Sequence, residues 1–195
     1  MLSYEESLKI LKETKALIDG HFILSSGLHS PRYIQCAQLL SKPKKASQIC
    51  NSLAEKIKSS FEDFDLILSP AMGGIIIGYE IGKILKKETI FCERVKGEFT
   101  LRRGFAIRKG SKVLIIEDVI TTGRSSMECV KLIKKSNASL AGFASIIDRS
   151  TKKTLKIKKK IISHLKIKVP TYKANRIPKE LESIPISTPG SRFIK

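Results

Sequence analysis

Residues 113 to 125 read Val-Leu-Ile-Ile-Glu-Asp-Val-Ile-Thr-Thr-Gly-Arg-Ser, and this segment is the clearest indication of the fold class. It begins with four consecutive apolar residues, which is typical of a strand covered on both faces in a parallel sheet. The acidic pair Glu117 and Asp118 follows, and then comes a turn with Gly123 that leads into a helix predicted from Ser125 to Ser136. A strand, a turn and a helix in this order indicate an α/β protein.

The segments on either side extend this pattern to both ends of the chain. Ser3 and Glu6 have the spacing of a capping box, and the apolar periodicity after them predicts a helix that Gly20 closes. The predicted helices are 3–19, 44–59, 75–86 and 125–136. The predicted strands lie within 21–35, 64–68, 89–92, 113–116 and 140–147. Together they predict one α/β domain over residues 1–195.

The turn after the central strand has the chemistry of a phosphate site. Backbone N–H groups at a helix start, together with the hydroxyls of Thr121, Thr122 and Ser125, can surround a phosphate, and the helix dipole favours its negative charge. Gly123 allows the backbone to approach the anion closely. The carboxylates of Glu117 and Asp118 would repel a phosphate, so they are expected to accept hydrogen bonds from sugar hydroxyls or to support a Mg²⁺ ion that the substrate carries.

A plainer interpretation of the same residues is an ordinary strand followed by a capped helix. Ser125 and Glu128 have capping-box spacing by themselves. That interpretation does not account for two acids at the end of a buried strand followed by Thr-Thr-Gly. The sequence also matches neither the G-x-x-x-x-G-K-[ST] pattern of P-loops nor the G-x-G-x-x-G pattern of dinucleotide sites.

The segment EDVITTGRS after VLII resembles the signature with which type I phosphoribosyltransferases bind 5-phosphoribosyl-1-pyrophosphate (PRPP). The resemblance implies a central, mostly parallel sheet flanked by helices, a small N-terminal hood within about residues 1–40, and a flexible catalytic loop. It also implies that the signature residues bind PRPP, with the 5-phosphate on the loop and the ribose hydroxyls on the acids. These residues are Glu117, Asp118, Val119, Ile120, Thr121, Thr122, Gly123, Arg124 and Ser125.

Two segments resemble the orotate-binding parts of orotate phosphoribosyltransferases. Residues 22–31 contain Ser25, Ser26 and Gly27, whose amides and hydroxyls would bind a flat polar pyrimidine, although Ser-Ser-Gly alone is also an ordinary turn. Arg149 ends a predicted strand and aligns with the arginine of the family that contacts orotate. A guanidinium suits the orotate carboxylate, and Thr121 is expected beside it.

Two further segments resemble the parts of the family that bind pyrophosphate. Gly73 and Gly74 would leave amides free for the leaving group, as would an ordinary glycine turn. Residues 92–105 resemble the catalytic hood loop, where Arg94 and Lys96 are expected to be catalytic together with the acidic pair; a solvated basic hairpin is the alternative. In the family this loop closes over the site, often that of the neighbouring subunit, which implies a homodimer with shared sites.

The resemblance implies transfer of a phosphoribosyl group from PRPP to orotate, with Mg²⁺ carried mainly by PRPP. The best-known bacterial members have lysines at the positions of Ser25 and Gly73, so the cation that assists pyrophosphate departure stays open. The acidic signature specifies the sugar phosphate and not the base. Transfer to a purine or to uracil, and PRPP sensing by a regulatory protein, are therefore the alternatives.

Composition favours a soluble cytoplasmic protein. Four scattered cysteines indicate neither zinc nor disulfides, and no apolar run resembles a signal peptide or a membrane span. The net charge of +19 draws heavily on a tract with lysines at 152, 153, 156, 158, 159, 160, 166 and 168. Because this tract contains no aromatic residues and few arginines, it predicts a solvated face and no nucleic-acid partner.

Overall fold

The structure, a computed structural model, describes residues 1–24, 26–151, 155–159 and 161–188. Its helices are α1 (Tyr4–Glu13), α2 (Cys36–Leu40), α3 (Pro43–Ser60), α4 (Gly73–Leu85), α5 (Arg124–Lys135) and α6 (Lys179–Glu182). Its strands are β1 (Leu17–Ile23), β2 (His29–Ile34), β3 (Leu66–Pro70), β4 (Glu88–Val95), β5 (Glu98–Thr100), β6 (Lys112–Ile120), β7 (Ser139–Asp148), β8 (Ile161–Lys166) and β9 (Ile186–Ser187). None of the helices in the described ranges has the length and apolar character needed to cross a membrane.

A six-stranded sheet in the order β5-β4-β3-β6-β7-β8 forms the centre of the molecule. Every neighbouring pair in it is parallel except β4 and β5, which form an antiparallel hairpin. The predicted α/β fold with a mostly parallel sheet flanked by helices is therefore confirmed. Helices follow β3 and β6, as the strand–turn–helix pattern requires.

The apolar run of β6 is explained by two cores, one on each face of the sheet. Leu114 and Ile116 pack into a core shared with helices α1 to α4, whereas Val113 and Ile115 pack into a core shared with α5. Successive side chains of a strand point to opposite faces, so an uninterrupted apolar run is what a doubly covered strand needs.

A second, smaller sheet has the order β2-β1-β9. Strands β1 and β2 form an antiparallel hairpin, and β9 runs parallel to β1. The two short strands predicted within residues 21–35 correspond to this hairpin. It is joined to the chain that follows β8 through backbone hydrogen bonds of 2.9 Å in both directions between His29 and Tyr172.

The prediction of a helix from residue 3 to 19 was wrong beyond Glu13. The capping box of Ser3 and Glu6 is present, but the helix ends where Lys15 adopts a left-handed conformation with φ of 58°. Leu17 then begins β1, and Gly20 lies inside that strand instead of closing a helix. Pairing with β2, which helical periodicity cannot report, determines the structure from Leu17 onward.

The central strand is longer than predicted, and the lysine tract is only partly a strand. Strand β6 continues to Ile120, so Glu117 and Asp118 lie within it and not after it. Within the lysine tract, Ile161 to Lys166 form β8 at the edge of the sheet, and Ile157 is buried. Lys152, Lys153 and Lys160 lie outside the described residues.

Candidate functional site

The carboxyl ends of the parallel strands bring most of the predicted site residues to one edge of the sheet. Strand β3 leads to Gly73 and Gly74, β4 leads to the hairpin with Arg94, β6 carries the acidic pair, and β7 leads to Arg149. In open α/β sheets, ligands bind outside this edge of the strands. The edge is therefore the candidate active site.

The turn between β6 and α5 presents free backbone donors. Gly123 has a φ of 71° and is the N-cap of α5, so the N-cap residue itself has no side chain to cap the helix. The amides of Thr121, Thr122, Gly123 and Ser125 donate no hydrogen bond to any part of the chain that the structure describes. These donors lie at a helix N-terminus, the arrangement in which proteins bind phosphate.

The capping-box interpretation of Ser125 and Glu128 was wrong. The N-cap is Gly123, and the carboxylate of Glu128 pairs with two arginines instead of the helix backbone. The turn is held from the other side by the lysine tract, because the Lys156 amide donates to the Thr122 carbonyl at 2.9 Å. A Cβ atom at position 123 would come within 2.7 Å of the Ile157 side chain, so this packing requires glycine.

The two carboxylates of the acidic pair point to different surroundings. Glu117 is buried and accepts hydrogen bonds from the hydroxyl and the amide of Ser126 in α5. Burial raises the pKa of Glu117 to about 7; the hydrogen bonds from Ser126 lower it and the charge of Asp118 raises it further. Burial also raises the pKa of Asp118, against the effect of the Val119 amide, which donates to the Asp118 carboxylate at 2.9 Å.

Asp118 lies directly against the glycine segment that follows β3. A Cβ atom at Gly73 would be 2.6 Å from an oxygen of the Asp118 carboxylate, and one at Gly74 would be 3.1 Å from the Ile116 carbonyl. The peptide bond between Ala71 and Met72 is cis. Helix α4 begins at Gly73, two residues earlier than predicted, so the amides of both glycines belong to its first turn. The structure thus brings the two predicted PRPP segments into contact.

The hairpin of β4 and β5 carries the predicted catalytic cations. Arg94 is exposed, and its guanidinium lies 4.1 Å from the centre of the Phe99 ring. Lys96 occupies the turn of the hairpin with a φ of 50° and is exposed. Arg102 and Arg103 both form ion pairs with Glu93, at 3.4 and 3.3 Å.

Arg149 is the cation that the fold partly removes from water. Its Nε atom is buried and has no hydrogen-bond partner among the described residues. Burial lowers the pKa of Arg149, and the neighbouring Tyr33 of β2 raises it. The amide of Arg149 donates to the Ile120 carbonyl at 2.8 Å, which places it beside the turn that begins at Thr121. A guanidinium with an unused donor at a ligand edge can accept an anion.

Ser26 and Gly27 lie at the tip of the β1–β2 hairpin. Ser26 and Gly27 are exposed, Gly27 has a φ of 76°, and its amide donates to the Leu24 carbonyl at 2.8 Å. Ser25 lies outside the described residues. Cys36, two residues after β2, connects the hairpin side of the molecule to the acidic pair. Its thiol lies 3.9 Å from the Asp118 carbonyl oxygen.

Sequence reasoning missed Tyr33, Ser126 and Glu128 as parts of this site. Tyr33 comes near Arg149 only because of the hairpin fold, so no local pattern could have indicated it. Ser126 and Glu128 follow the phosphate turn by three and five positions in a helix that was predicted, and the helical period could have placed them near it. Within the described residues, no group of three or more His, Cys, Asp or Glu side chains is placed to hold a metal ion.

Comparison with known proteins gives results of two kinds. The phosphoribosyl transferase domain pattern matches residues 37–176. A protein of Parvibaculum lavamentivorans named orotate phosphoribosyltransferase is 45% identical over 194 residues, which cover 99% of this chain and 100% of that protein.

The solved structures show similarity of the fold. The orotate phosphoribosyltransferase of Aeropyrum pernix superposes with a TM-score of 0.69 at 22% identity, over 82% of this chain and 92% of that one. The adenine phosphoribosyltransferase of Thermoanaerobacter pseudethanolicus superposes with a TM-score of 0.60 at 18% identity, over 70% of this chain and 88% of that one. Proteins named for different bases thus share this fold.

Proposed function

Since this chain belongs to the phosphoribosyl transferase family, we propose that it is an orotate phosphoribosyltransferase. It transfers the phosphoribosyl group of PRPP to orotate and releases orotidine 5'-phosphate and pyrophosphate, a step of pyrimidine (UMP) biosynthesis. The observation that carries this proposal is the 45% identity over 99% of the chain with the Parvibaculum protein of that name. The fold alone does not select the base, because an adenine enzyme shares it.

PRPP binds across the contact between the β6–α5 turn and the α4 N-terminus. The free amides of Thr121, Thr122, Gly123 and Ser125 hold the 5-phosphate, and Asp118 accepts hydrogen bonds from the ribose hydroxyls. The first amides of α4 hold the pyrophosphate, and a side chain at position 73 would clash with the Asp118 carboxylate. The full set is Gly73, Gly74, Arg94, Glu117, Asp118, Val119, Ile120, Thr121, Thr122, Gly123, Arg124 and Ser125.

Orotate binds between Arg149 and the tip of the β1–β2 hairpin. The buried Nε of Arg149 has no partner among the described residues. A carboxylate would accept its hydrogen bond and offset the cost of removing the guanidinium from water. Thr121 is adjacent through the backbone bond between Ile120 and Arg149. Ser26 and Gly27 at the tip of the hairpin, together with Ser25, are assigned to contact the ring. The hairpin belongs to the hood within about residues 1–40 of this single domain, 1–195.

Catalysis needs no protein nucleophile, because the orotate anion itself attacks the ribose. The chain contributes position and charge: Asp118 and Glu117 stabilise the positive charge that develops on the sugar, and Arg94 and Lys96 stabilise the departing pyrophosphate. Closure of the hood loop excludes water that would hydrolyse PRPP.

The acidic pair fits a Mg²⁺ ion that is bound mainly by the substrate. Asp118 places a carboxylate beside the α4 N-terminus, where its negative charge would support an ion that the substrate oxygens hold. When bound, the ion neutralises charge on the pyrophosphate. No protein side chain is assigned as a direct ligand.

A homodimer is supported by an apolar stripe next to the pyrophosphate segment. Met72, Ile76 and Tyr79 follow helical spacing and are 83%, 53% and 65% exposed. Large exposed apolar groups in one stripe are typical of protein interfaces. A second copy of the chain bound here would bring its own residues to the edge of the site, so the active sites would be shared.

Sedimentation tests the dimer directly. Ile76→Glu should convert a dimer into a monomer and lower activity, because an unpaired carboxylate cannot be buried in an apolar interface. Tyr4→Glu is the matched control, since Tyr4 is 49% exposed at the first residue of α1, away from the stripe. An Ile76→Glu protein that sediments as the wild type does would contradict the proposed interface.

The cytoplasm is the proposed location, and no membrane or nucleic-acid partner is proposed. All four cysteines are buried free thiols, which suits a reducing compartment.

Pyrophosphate release decides the substrate. The protein is incubated with PRPP and Mg²⁺, and with orotate, uracil, adenine, hypoxanthine or xanthine in turn. Orotate should give the fastest release, and omission of the base should reduce release to background. A faster reaction with another base would identify a different transferase, and PRPP binding without release for any base would identify a regulatory protein.

A further inference from the structure

Glu128 lies between two arginines that belong to different parts of the site. Its side chain is 21% exposed, and one carboxylate oxygen is 2.7 Å from an Nη atom of Arg94 in the β4–β5 hairpin. The other oxygen is 3.1 Å from the Nε atom of Arg124, the first residue of α5 after the phosphate turn. One carboxylate therefore links the β4–β5 hairpin to α5, the helix that begins within the proposed PRPP cradle, residues 117–125.

Both terminal nitrogens of the Arg94 guanidinium already have a partner in the hairpin or on α5. One terminal nitrogen pairs with Glu128, and the other donates to the Gly97 carbonyl at 2.5 Å. The face of the group lies on the Phe99 ring. The Glu128 carboxylate and a pyrophosphate are both anions that would compete for the charge of this guanidinium, whereas the Gly97 carbonyl is neutral and belongs to the same hairpin as Arg94.

We propose that Glu128 is a positioning residue that holds Arg94 on α5 in the ligand-free protein and gives it up to the pyrophosphate of PRPP. This proposal rests on the proposed function, in which Arg94 binds the leaving group. Glu128 and pyrophosphate are then alternative anionic partners of one guanidinium. Breaking the ion pair between Arg94 and Glu128 lowers the net affinity for PRPP. When pyrophosphate leaves, Arg94 pairs with Glu128 again.

The pair between Glu128 and Arg124 lowers the free-energy cost of releasing Arg94. The charge of Glu128 reaches the acidic pair, where it contributes to raising the pKa of Glu117. An unpaired Glu128 would also repel the incoming phosphates. Because Arg124 stays on the other oxygen, the carboxylate remains neutralised when Arg94 departs. Partly exposed ion pairs are weak, so the contact can be exchanged at each turnover.

Replacement of Glu128 by glutamine tests the exchange, because it keeps the shape and removes the charge. The dissociation constant of PRPP with Mg²⁺, measured by calorimetry, should fall by about fivefold, the upper limit for an ion pair of this kind. The KM for orotate should stay unchanged. In the Arg94→Ala background, Glu128→Gln should raise PRPP affinity by less than about twofold, because only the exposed pair with Arg124 is then lost. Glu98→Gln is the matched control, since it removes an exposed carboxylate from the same hairpin and should leave PRPP affinity unchanged.

The outcomes separate this proposal from the proposed function. An enzyme that releases pyrophosphate with orotate, but whose Glu128→Gln variant binds PRPP no more tightly than the wild type, overturns the role of Glu128 alone. The same fivefold gain in the Arg94→Ala background also overturns it, because the effect would not pass through Arg94. A wild-type protein that binds no PRPP overturns both.

Discussion

The PRPP cradle at the end of β6 (residues 117–125) and the hairpin of β4 and β5 place their charges in opposite surroundings. In the cradle, Glu117 and Asp118 are largely withdrawn from water, and burial raises the pKa of both carboxyl groups. In the hairpin and just after it, the exposed cations Arg94, Arg102 and Arg103 are each paired with a glutamate. The acids are thus fixed when the chain folds, whereas the cations remain in water until substrate binds.

The two regions therefore use their charges differently. Groups fixed in a site of low dielectric act strongly on developing charge, since they need no rearrangement during the reaction. Exposed groups contribute little to stability and are free to change partners. Substitutions in the cradle should therefore change turnover or its pH dependence, whereas substitutions of paired cations in the hairpin should change the free energy of unfolding very little.

Asp118→Asn should have the largest effect. The amide keeps the shape of the carboxylate but cannot stabilise positive charge on the ribose, so kcat/KM should fall by about 10²- to 10³-fold. The fold should survive, because the substitution removes a charge that burial disfavours. Pyrophosphate release measures the first effect and thermal unfolding the second. Near-normal activity in a folded protein would remove Asp118 from its assigned role.

How far the sequence predicted these two regions depends on how local they are. The cradle is continuous in the chain, so strand, turn and helix could be predicted from residues 113–125 alone. The contacts that complete it are not local: Asp118 with Gly73, Tyr33 with Arg149, and Arg94 with Glu128 each join distant segments. No periodicity reports such pairs, because strand order and hairpin packing create them.

The same reasoning explains the errors in the element boundaries. Apolar spacing in residues 8–17 suits a helix, yet Leu17 begins a strand, since a partner strand was available to pair with it. The prediction of β6 stopped at the first charged residue. Glu117 continues the strand because Ser126 satisfies its carboxylate, and a buried charged group is tolerated only with such a partner.

Arg149 differs from the hairpin arginines, because the fold has already partly desolvated its guanidinium. Arg149→Ala should raise the KM for orotate by about 30-fold, the size expected for a lost charge-assisted hydrogen bond. PRPP affinity should change less than about twofold, since Arg149 is assigned to the base and not to the phosphates. Steady-state kinetics with each substrate varied in turn measures both.

Arg149→Lys serves as the control for charge alone. It keeps the positive charge but cannot form the two parallel hydrogen bonds of a guanidinium, so its KM for orotate should lie between those of the wild type and the alanine variant. An equal loss of affinity for PRPP and orotate would show that Arg149 supports the whole edge of the site instead of one substrate.

Glu117 makes the cradle sensitive to pH near neutrality. Its pKa of about 7 in the folded protein means that one pH unit lower the carboxylate is mostly protonated and accepts ribose hydrogen bonds poorly. The dissociation constant of PRPP should therefore rise by about tenfold between pH 8 and pH 6. Glu117→Gln should bind PRPP more weakly at pH 8 and show little of this dependence.

The stability of the protein should follow the same titration. The folded state keeps the Glu117 proton between its ordinary pKa of 4.5 and about 7, while the unfolded state has lost it. The contribution of Glu117 to the free energy of unfolding is thus fully present below pH 4.5 and lost as pH rises through 7, by about 3 kcal/mol in all. Urea unfolding of the wild type and Glu117→Gln at several pH values measures this, and parallel curves would contradict it.

Arg102→Gln should have the smallest effect and completes the contrast with Glu117. The Arg102 side chain is 57% exposed and is 3.4 Å from Glu93, which keeps a second partner in Arg103. Loss of one exposed pair should change the free energy of unfolding by no more than about 0.5 kcal/mol, and the change should shrink in high salt. Urea unfolding at low and high salt measures both. A loss as large as that expected from titration of Glu117 would mean that the hairpin, like the cradle, is held by its charges before substrate arrives.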